Sequence, residues 1–257
     1  MRCKDQLHRV LEFPETPKRI ISLVPSQTEL LVDLGLKSQL VGITKFCVHP
    51  RSLLSDVKIV GGTKSIHLDK IEDLKPDIII CNKEENTKEI VDSCSTIAPV
   101  WVSDIYTVQD SLAMIYLLAT LFEKEGQGRK IIDTIENELT SFRSFMATKL
   151  EKKVVYLIWK NPYMAAGKQT FINNLLLENK FHNIFQDPTS RYPEVSEKKL
   201  KEVDVVLLSS EPFPFKEKHI KELQEITNKK IILVDGEYFS WYGSRLQYAF
   251  TYFKSLH

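Results

Sequence analysis

A chain of 257 residues has room for one large domain or for two lobes of common size. Its 35 basic and 34 acidic side chains leave a formal charge of +1, which gives no electrostatic case for nucleic acid or an anionic membrane as partner. A hydrophobic share of 43%, a charged share of 27% and only nine glycines exclude a disordered or low-complexity chain. The first nine residues, MRCKDQLHR, contain no apolar stretch able to serve as a secretory h-region, so the chain as written is expected to be cytoplasmic or to have lost a leader. No apolar run approaches the length of a membrane span.

Continuous apolar runs, the pattern of strands buried on both faces of a parallel sheet, occupy residues 19–24, 40–43, 77–81, 99–102, 154–159, 204–209 and 230–235. Helical spacing marks residues 26–34, 68–74, 87–94, 108–122, 171–177, 196–201, 216–223 and 244–253. This alternation predicts an α/β fold with right-handed crossovers. Ser26 and Glu29 have capping-box spacing, Gly35 is placed to close the same helix, and Thr107 and Ser196 are expected N-caps. From Gly128 to Lys153 neither glycine nor proline intervenes. Ile131, Ile132, Ile135, Leu139, Phe142, Phe145, Met146 and Leu150 recur three or four apart, which predicts one long helix with a single apolar stripe.

The stretches on either side of that helix echo each other. Residues 69–84 and 196–211 each read as a short amphipathic helix, an Asp, a buried strand and a polar loop with a Glu. The expected organisation is an N-terminal α/β lobe over residues 1–125, a connecting helix over 126–150 and a C-terminal α/β lobe over 151–257. A helix of that length spans roughly 35 Å and would resist hinge opening. Two lobes joined this way suggest a ligand cleft between them.

Ligands of parallel α/β sheets sit outside the carboxyl ends of the strands. In the first half those ends bring Pro25 and Ser26, whose helix-start amides suit an anion or simply a capped helix, then Phe46 and His49, then Gly61, Gly62, Thr63 and Lys64, then Glu84 and Glu85. In the second half they bring Trp159 and Tyr163, Tyr192, Glu211 with Phe213 and Phe215, and Tyr238, Trp241, Tyr242 and Arg245. Aromatic side chains on each of these loops favour a large, flat, partly apolar ligand and give the C-terminal lobe most of the contact. His67 and His219 stand at helix starts and are expected to be exposed. His49 with Glu84 or Glu211 is the available metal-site combination. The four cysteines, Cys3, Cys47, Cys81 and Cys94, form no Cys-x-x-Cys pair; they read as free thiols, with a Cys81–Cys94 disulfide as the alternative. No phosphate loop, nucleophile elbow, His-Glu-x-x-His or dinucleotide fingerprint occurs, so no enzyme is expected.

Residues 17–30 (PKRIISLVPSQTEL), 33–35 (DLG), 41–43 (VGI), 60–62 (VGG), 68–80 (LDKIEDLKPDIII), the long helix and 167–172 (GKQTFI) together resemble the helical-backbone, TroA-like substrate-binding proteins of ABC importers. The resemblance covers essentially the whole chain. Residues 192–196 (YPEVS) and 235–245 (DGEYFSWYGSR) make it most similar to the cobalamin-binding branch. It implies two Rossmann-like lobes with parallel sheets on one backbone helix, little closure, no catalysis and no intrinsic cofactor. The implied ligand is a corrinoid or another metal chelate, such as haem or a ferric siderophore. It implies contacts from Pro25, Ser26, Phe46, His49 and Thr63 on the N-lobe. On the C-lobe it implies Trp159, Tyr163, Tyr192, Phe213, Tyr238, Trp241, Tyr242 and Arg245. Thr63 stands where that branch carries an aromatic residue. The implied partner is an ABC permease, docked by Asp69 and Glu197, with a monomeric binding protein in the periplasm or on the cell surface. The rival readings are a cytoplasmic corrinoid carrier or sensor, and a metal-dependent enzyme on a chelatase-like scaffold.

Overall fold

The continuous apolar runs are all strands in the computed structural model, which describes residues 1–257. Two units emerge: unit 1 comprises residues 1–105, 109–136 and 242–247, and unit 2 comprises residues 106–108, 137–241 and 248–257. In chain order unit 1 carries β1 (Arg2–Lys4), β2 (Val10–Glu12), β3 (Ile20–Ser22), α1 (Pro25–Asp33), β4 (Leu40–Ile43), α2 (Leu53–Asp56), β5 (Lys58–Ile59), α3 (Leu68–Asp73), β6 (Ile78–Asn82), α4 (Lys88–Ser95), β7 (Val100–Ser103) and most of α5 (Val108–Leu121). Helix α6 (Glu125–Met146) begins in unit 1 and passes into unit 2 after Glu136. Unit 2 then holds β8 (Lys152–Trp159), β9 (Met164–Ala165), α7 (Phe171–Glu178), β10 (Phe181–Asn183), α8 (Glu197–Lys201), β11 (Val205–Ser209), α9 (Glu217–Gln224), β12 (Lys230–Val234), α10 (Gly236–Ser240) and most of α11 (Leu246–Lys254).

The sheet of unit 1 is parallel throughout, in the order β5-β4-β3-β6-β7. Its strands run outward in both directions from the first one, so the topological switch point falls between β3 and β6. Unit 2 repeats the plan with β10-β8-β11-β12 in parallel and β9 antiparallel to β8, which puts its switch point between β8 and β11. Burial on both faces explains the unbroken apolar runs. Every residue of β6 and of β11 is buried. Ile21, Ile79, Val100 and Cys81 anchor one core, and Val155, Leu157, Val206 and Leu208 the other. Full burial of each such side chain is worth about 1.5–3 kcal/mol.

The echo between the halves extends to single atoms. Asp77 Oδ2 accepts from the amides of Lys18 and Arg19 at 2.8 and 2.9 Å, just before β3. Asp204 Oδ2 accepts from the amide of Lys153 at 2.8 Å, at the start of β8. In both units an Asp ahead of the second switch-point strand holds the beginning of the first.

Helix α6 is a 22-residue rod, about 33 Å long at 1.5 Å per residue. It buries Ile131, Ile132 and Ile135 in unit 1 and Leu139, Phe142 and Met146 in unit 2. It stops at Met146. Leu150, expected on its stripe, lies beyond it and past the turn at 147–148, and is 84% exposed. Helix α1 also departs from expectation. Its N-cap is Val24, with no side-chain acceptor, and Pro25 fills the first helical position, where its missing N–H costs nothing. Ser26 and Glu29 therefore form no capping box. Gly35, at φ +83°, closes the helix as its amide donates to Val32 O while that of Leu36 donates to Leu31 O. Ser196 caps α8 as expected, accepting from the amide of Lys199. All four cysteines are free thiols.

Candidate functional site

At the switch point of unit 1, two asparagines set the loop after β6. Asn82 Oδ1 accepts from the amides of Glu84 and Glu85 at 2.8 and 3.0 Å, while its Nδ2 donates to Ser103 Oγ at 2.9 Å. Asn86 Oδ1 accepts from Asn82 N at 2.9 Å, and its Nδ2 donates to Thr63 O at 3.0 Å. Both are buried, so the loop is fixed by satisfied polar groups and Thr63 is pinned from behind.

Beside Thr63 opens a pocket of about 570 Å³ lined by Lys45, Phe46, Gly62, Thr63, Lys64, His67 and Lys70 among others. Gly61 makes its floor a tight turn: φ is +134°, a Cβ there would lie 2.5 Å from Ser65 O, and the next amide, Gly62 N, donates to that same oxygen at 2.6 Å. Phe46 is 49% exposed, and Lys45 Nζ lies 5.1 Å from its ring centroid. Lys64 Nζ donates to Glu84 O. The Gly61–Lys64 stretch is thus both a turn and a pocket wall. Pro25, His49 and Thr63 are half-buried; Ser26 is buried.

The segment carrying Tyr242 and Arg245 belongs to unit 1, not to the C-terminal lobe as the sequence suggested. Tyr242 is buried, with its hydroxyl 3.5 Å from Gln27 Nε2, and burial pushes its phenol far up. Arg245 makes a fork with Glu29: Nε to Oε2 is 2.9 Å and the second guanidinium nitrogen to Oε1 is 2.7 Å. The Glu29 carboxyl is nevertheless held above its ordinary range, because desolvation outweighs the help of Arg245. Gly243 N donates to Ser111 Oγ at 2.8 Å, so this segment is tied to α5 as well.

Unit 2 presents rings at its switch point. Trp159, at the end of β8, is 43% exposed, and Phe213 meets it in a T-shaped arrangement at 5.8 Å between centroids. The amide of Phe213 donates to Ile158 O at 3.2 Å, which joins the loop after β11 to the end of β8. Phe213 packs on Phe215 at 4.8 Å, and both meet His219 at 5.4 Å. His219 is thus buried, contrary to expectation. Its Nδ1 accepts from Lys216 N at 2.8 Å, and burial lowers its imidazole below the usual value. Tyr163 and Tyr192 are half-buried on neighbouring loops, tied together as Val195 N donates to Tyr163 O at 2.8 Å.

The remaining rings lean on a buried carboxylate. Residues 236–240, expected to be loop, form the one-turn helix α10, capped by Asp235. Glu211 Oε1 accepts from Trp241 Nε1 at 3.0 Å and from Ser240 Oγ. Burial raises the Glu211 carboxyl above its ordinary range; the bonds from Ser240 and Trp241 oppose this, and the charge of Glu237 adds to it. Trp241 is only 8% exposed, and Tyr238 stacks on Tyr252 at 4.7 Å. Beside them a pocket of about 520 Å³ is lined by Ser210, Glu211, Phe215, Asp235 and Glu237 among others. No group of three or more His, Cys, Asp or Glu is placed to hold a metal ion. Asp69 and Glu197 are exposed in the first turns of α3 and α8. Of the lysines of the unit 1 pocket, sequence reasoning singled out Lys64 and missed Lys45 and Lys70, and it missed the hub role of Glu211. The signal for Lys45 was its place two residues past the end of β4.

A family model described as periplasmic binding protein matches residues 20–226. The vitamin B12-binding protein of Salmonella typhimurium is 25% identical over 180 residues, 69% of this chain and 66% of that protein. The ABC transporter substrate-binding lipoprotein YvrC of Bacillus subtilis is 24% identical over 182 residues, 67% of this chain and 57% of that protein. Among solved structures, the periplasmic vitamin B12-binding protein BtuF of Vibrio cholerae superposes with a TM-score of 0.81 at 22% identity, covering 94% of this chain and 97% of that one. At that identity the structural likeness is one of fold. No helix is long and apolar enough to cross a membrane.

Proposed function

The chain belongs to the periplasmic binding protein family, and from that premise we propose that it is a non-catalytic substrate-binding protein of an ABC importer whose cargo is a metal-bearing macrocycle or chelate, with a corrinoid as the first choice and haem or a ferric siderophore as the alternatives. The observation that carries this reading is the exposed Trp159 with Phe213 set nearly perpendicular to it, at the switch point of unit 2. An indole left 43% open to water at the place where α/β sheets take ligands supports a cargo with a broad apolar face. The names of relatives point the same way: vitamin B12-binding proteins in sequence, and a vitamin B12-binding and a Pseudomonas aeruginosa haem-binding protein in structure.

In this reading Trp159, Phe213, Tyr163, Tyr192 and Phe46 meet the ring system. Pro25, Ser26, His49 and Thr63 meet its edge. Tyr238, Trp241, Tyr242 and Arg245 shape the site from behind. Asp69 and Glu197 offer carboxylates to a permease, and the protein works outside the cytoplasmic membrane, in a periplasm or on a cell surface. The test is titration of the purified protein with cyanocobalamin, haem and a ferric siderophore, followed by absorbance and calorimetry. Binding of one of them tighter than about 100 μM, some −5.5 kcal/mol, is expected; no such binding to any would overturn the proposal.

A further inference from the structure

The pocket of unit 1 differs in character from everything at the edge of unit 2. Three lysines line it: Lys45 and Lys64 are exposed, and Lys70 is half-buried on α3. The ammonium groups of Lys45 and Lys64 meet a ring face and a backbone carbonyl rather than a carboxylate. Gathering like charges round one concavity costs energy unless an anion enters it. The protein as a whole is nearly neutral, at +1, so the concentration is local. The surroundings are also built to hold a shape. The floor is the glycine turn closed by Gly62 N to Ser65 O, and Asn86 fixes Thr63 from behind at 3.0 Å. Phe46 adds an open ring face at the mouth. At about 570 Å³ the pocket is of ligand size, larger than a single ion requires.

We infer that this pocket receives an anionic oxygen group at the rim of the cargo, a carboxylate or a phosphate, and that unit 1 thereby selects among chelates by charge. The inference rests on the proposed binding function and names the part of the ligand that unit 1 reads. Lys45 and Lys64 supply charge-assisted donors, the Thr63 hydroxyl a neutral one, and Phe46 packs on the adjoining apolar edge.

Two matched ligand pairs separate the sources. Haem carries two carboxylates and its dimethyl ester none; cyanocobalamin carries one phosphodiester and dicyanocobinamide none. Affinities are measured for the native protein and for the Lys45→Gln/Lys64→Gln double variant, whose melting temperature is expected to match the native one because both side chains are exposed. In one pair the anionic member should bind the native protein roughly tenfold tighter or more, the worth of one charge-assisted hydrogen bond, and the double variant should erase that gap. The pair that shows it identifies carboxylate or phosphate. If a parent chelate binds but no gap appears, or the gap survives in the double variant, the pocket assignment is wrong while the binding function stands. If neither haem nor cyanocobalamin binds the native protein, the pocket assignment falls; the binding function then falls with it only if the ferric siderophore also fails to bind.

Discussion

Beside the switch point of unit 1, after β4 and β5, the sheet edge is finished with lysines, a hydroxyl and one phenyl ring, braced by two buried asparagines. At that of unit 2 it is finished with indole and phenyl rings, braced by a buried carboxylate and a buried imidazole. Beneath both lies the same scaffold, down to Asp77 and Asp204 holding the start of the neighbouring strand. Glu84 and Glu211 sit at matching places after that scaffold and behave differently. Glu84 is half-buried and lends its carbonyl to Lys64, whereas Glu211 is a desolvated acceptor for Ser240 and Trp241. Shared residues survive where a strand must begin; divergence starts where a strand ends. A cargo that touched both edges would be read for charge by one and for ring surface by the other.

The largest expected effect tests the polar bracing of unit 1. Arg245→Ala leaves Glu29 desolvated with its main partner gone and only the charge of His49 to favour it, and should destabilise the protein by about 3 kcal/mol in urea unfolding without ligand. Adding Glu29→Gln removes the stranded charge and should restore a good part of the loss. Unchanged stability with weakened cargo binding would return Arg245 to the ligand and erase this part of the contrast.

How far these edges could be read from the sequence differs between them for physical reasons. Strands buried on both faces declare themselves as apolar runs, so β3, β4, β6, β7, β8, β11 and β12 were all visible. The hairpin of β1 and β2 and the short β5, β9 and β10 have two or three residues each and leave no periodicity to detect. The aromatic loops of unit 2 were visible because rings are rare in solvated loops. Their burial was not: Trp241 and Tyr242 are adjacent in sequence, yet one bonds to Glu211 in unit 2 and the other approaches Gln27 in unit 1. His219 looked exposed because a helix start is normally wet; the rings of Phe213 and Phe215 cover it. Lys64 was in view beside the glycine pair, but the lysine pocket as a whole was hidden because its members come from three separate stretches, and a lysine in sequence reads as solvated surface.

A middle-sized effect sharpens the aromatic side. Trp159→Ala should weaken cargo binding by about 1–2 kcal/mol and cost less stability than a core tryptophan would, since the residue is 43% exposed. Trp241→Ala should do the reverse, lowering stability more than affinity, because it strips a bond from Glu211 and opens a cavity. Calorimetric titration and thermal melting of the two variants give the comparison. Equal effects from both would mean that unit 2 offers one undivided aromatic surface rather than a contact layer and a supporting layer.

The smallest effect is a pH dependence that belongs to unit 2. Burial holds the Glu211 carboxyl above its unfolded value, so between those two values the folded state binds more protons than the unfolded state. Stability from this group is therefore greatest at low pH and declines as pH rises from the ordinary carboxylate range through the folded value, after which it is level. Glu211→Gln keeps an oxygen for Trp241 Nε1 and Ser240 Oγ while abolishing the buried charge. Its melting temperature should exceed that of the native protein by about one or two degrees at pH 8, with the difference fading as pH falls into the ordinary carboxylate range. A variant less stable at every pH would mean that the bonds to Glu211 require its charge. The carboxylate would then be an asset of the aromatic edge, as the Asn82–Asn86 bracing is of the basic one.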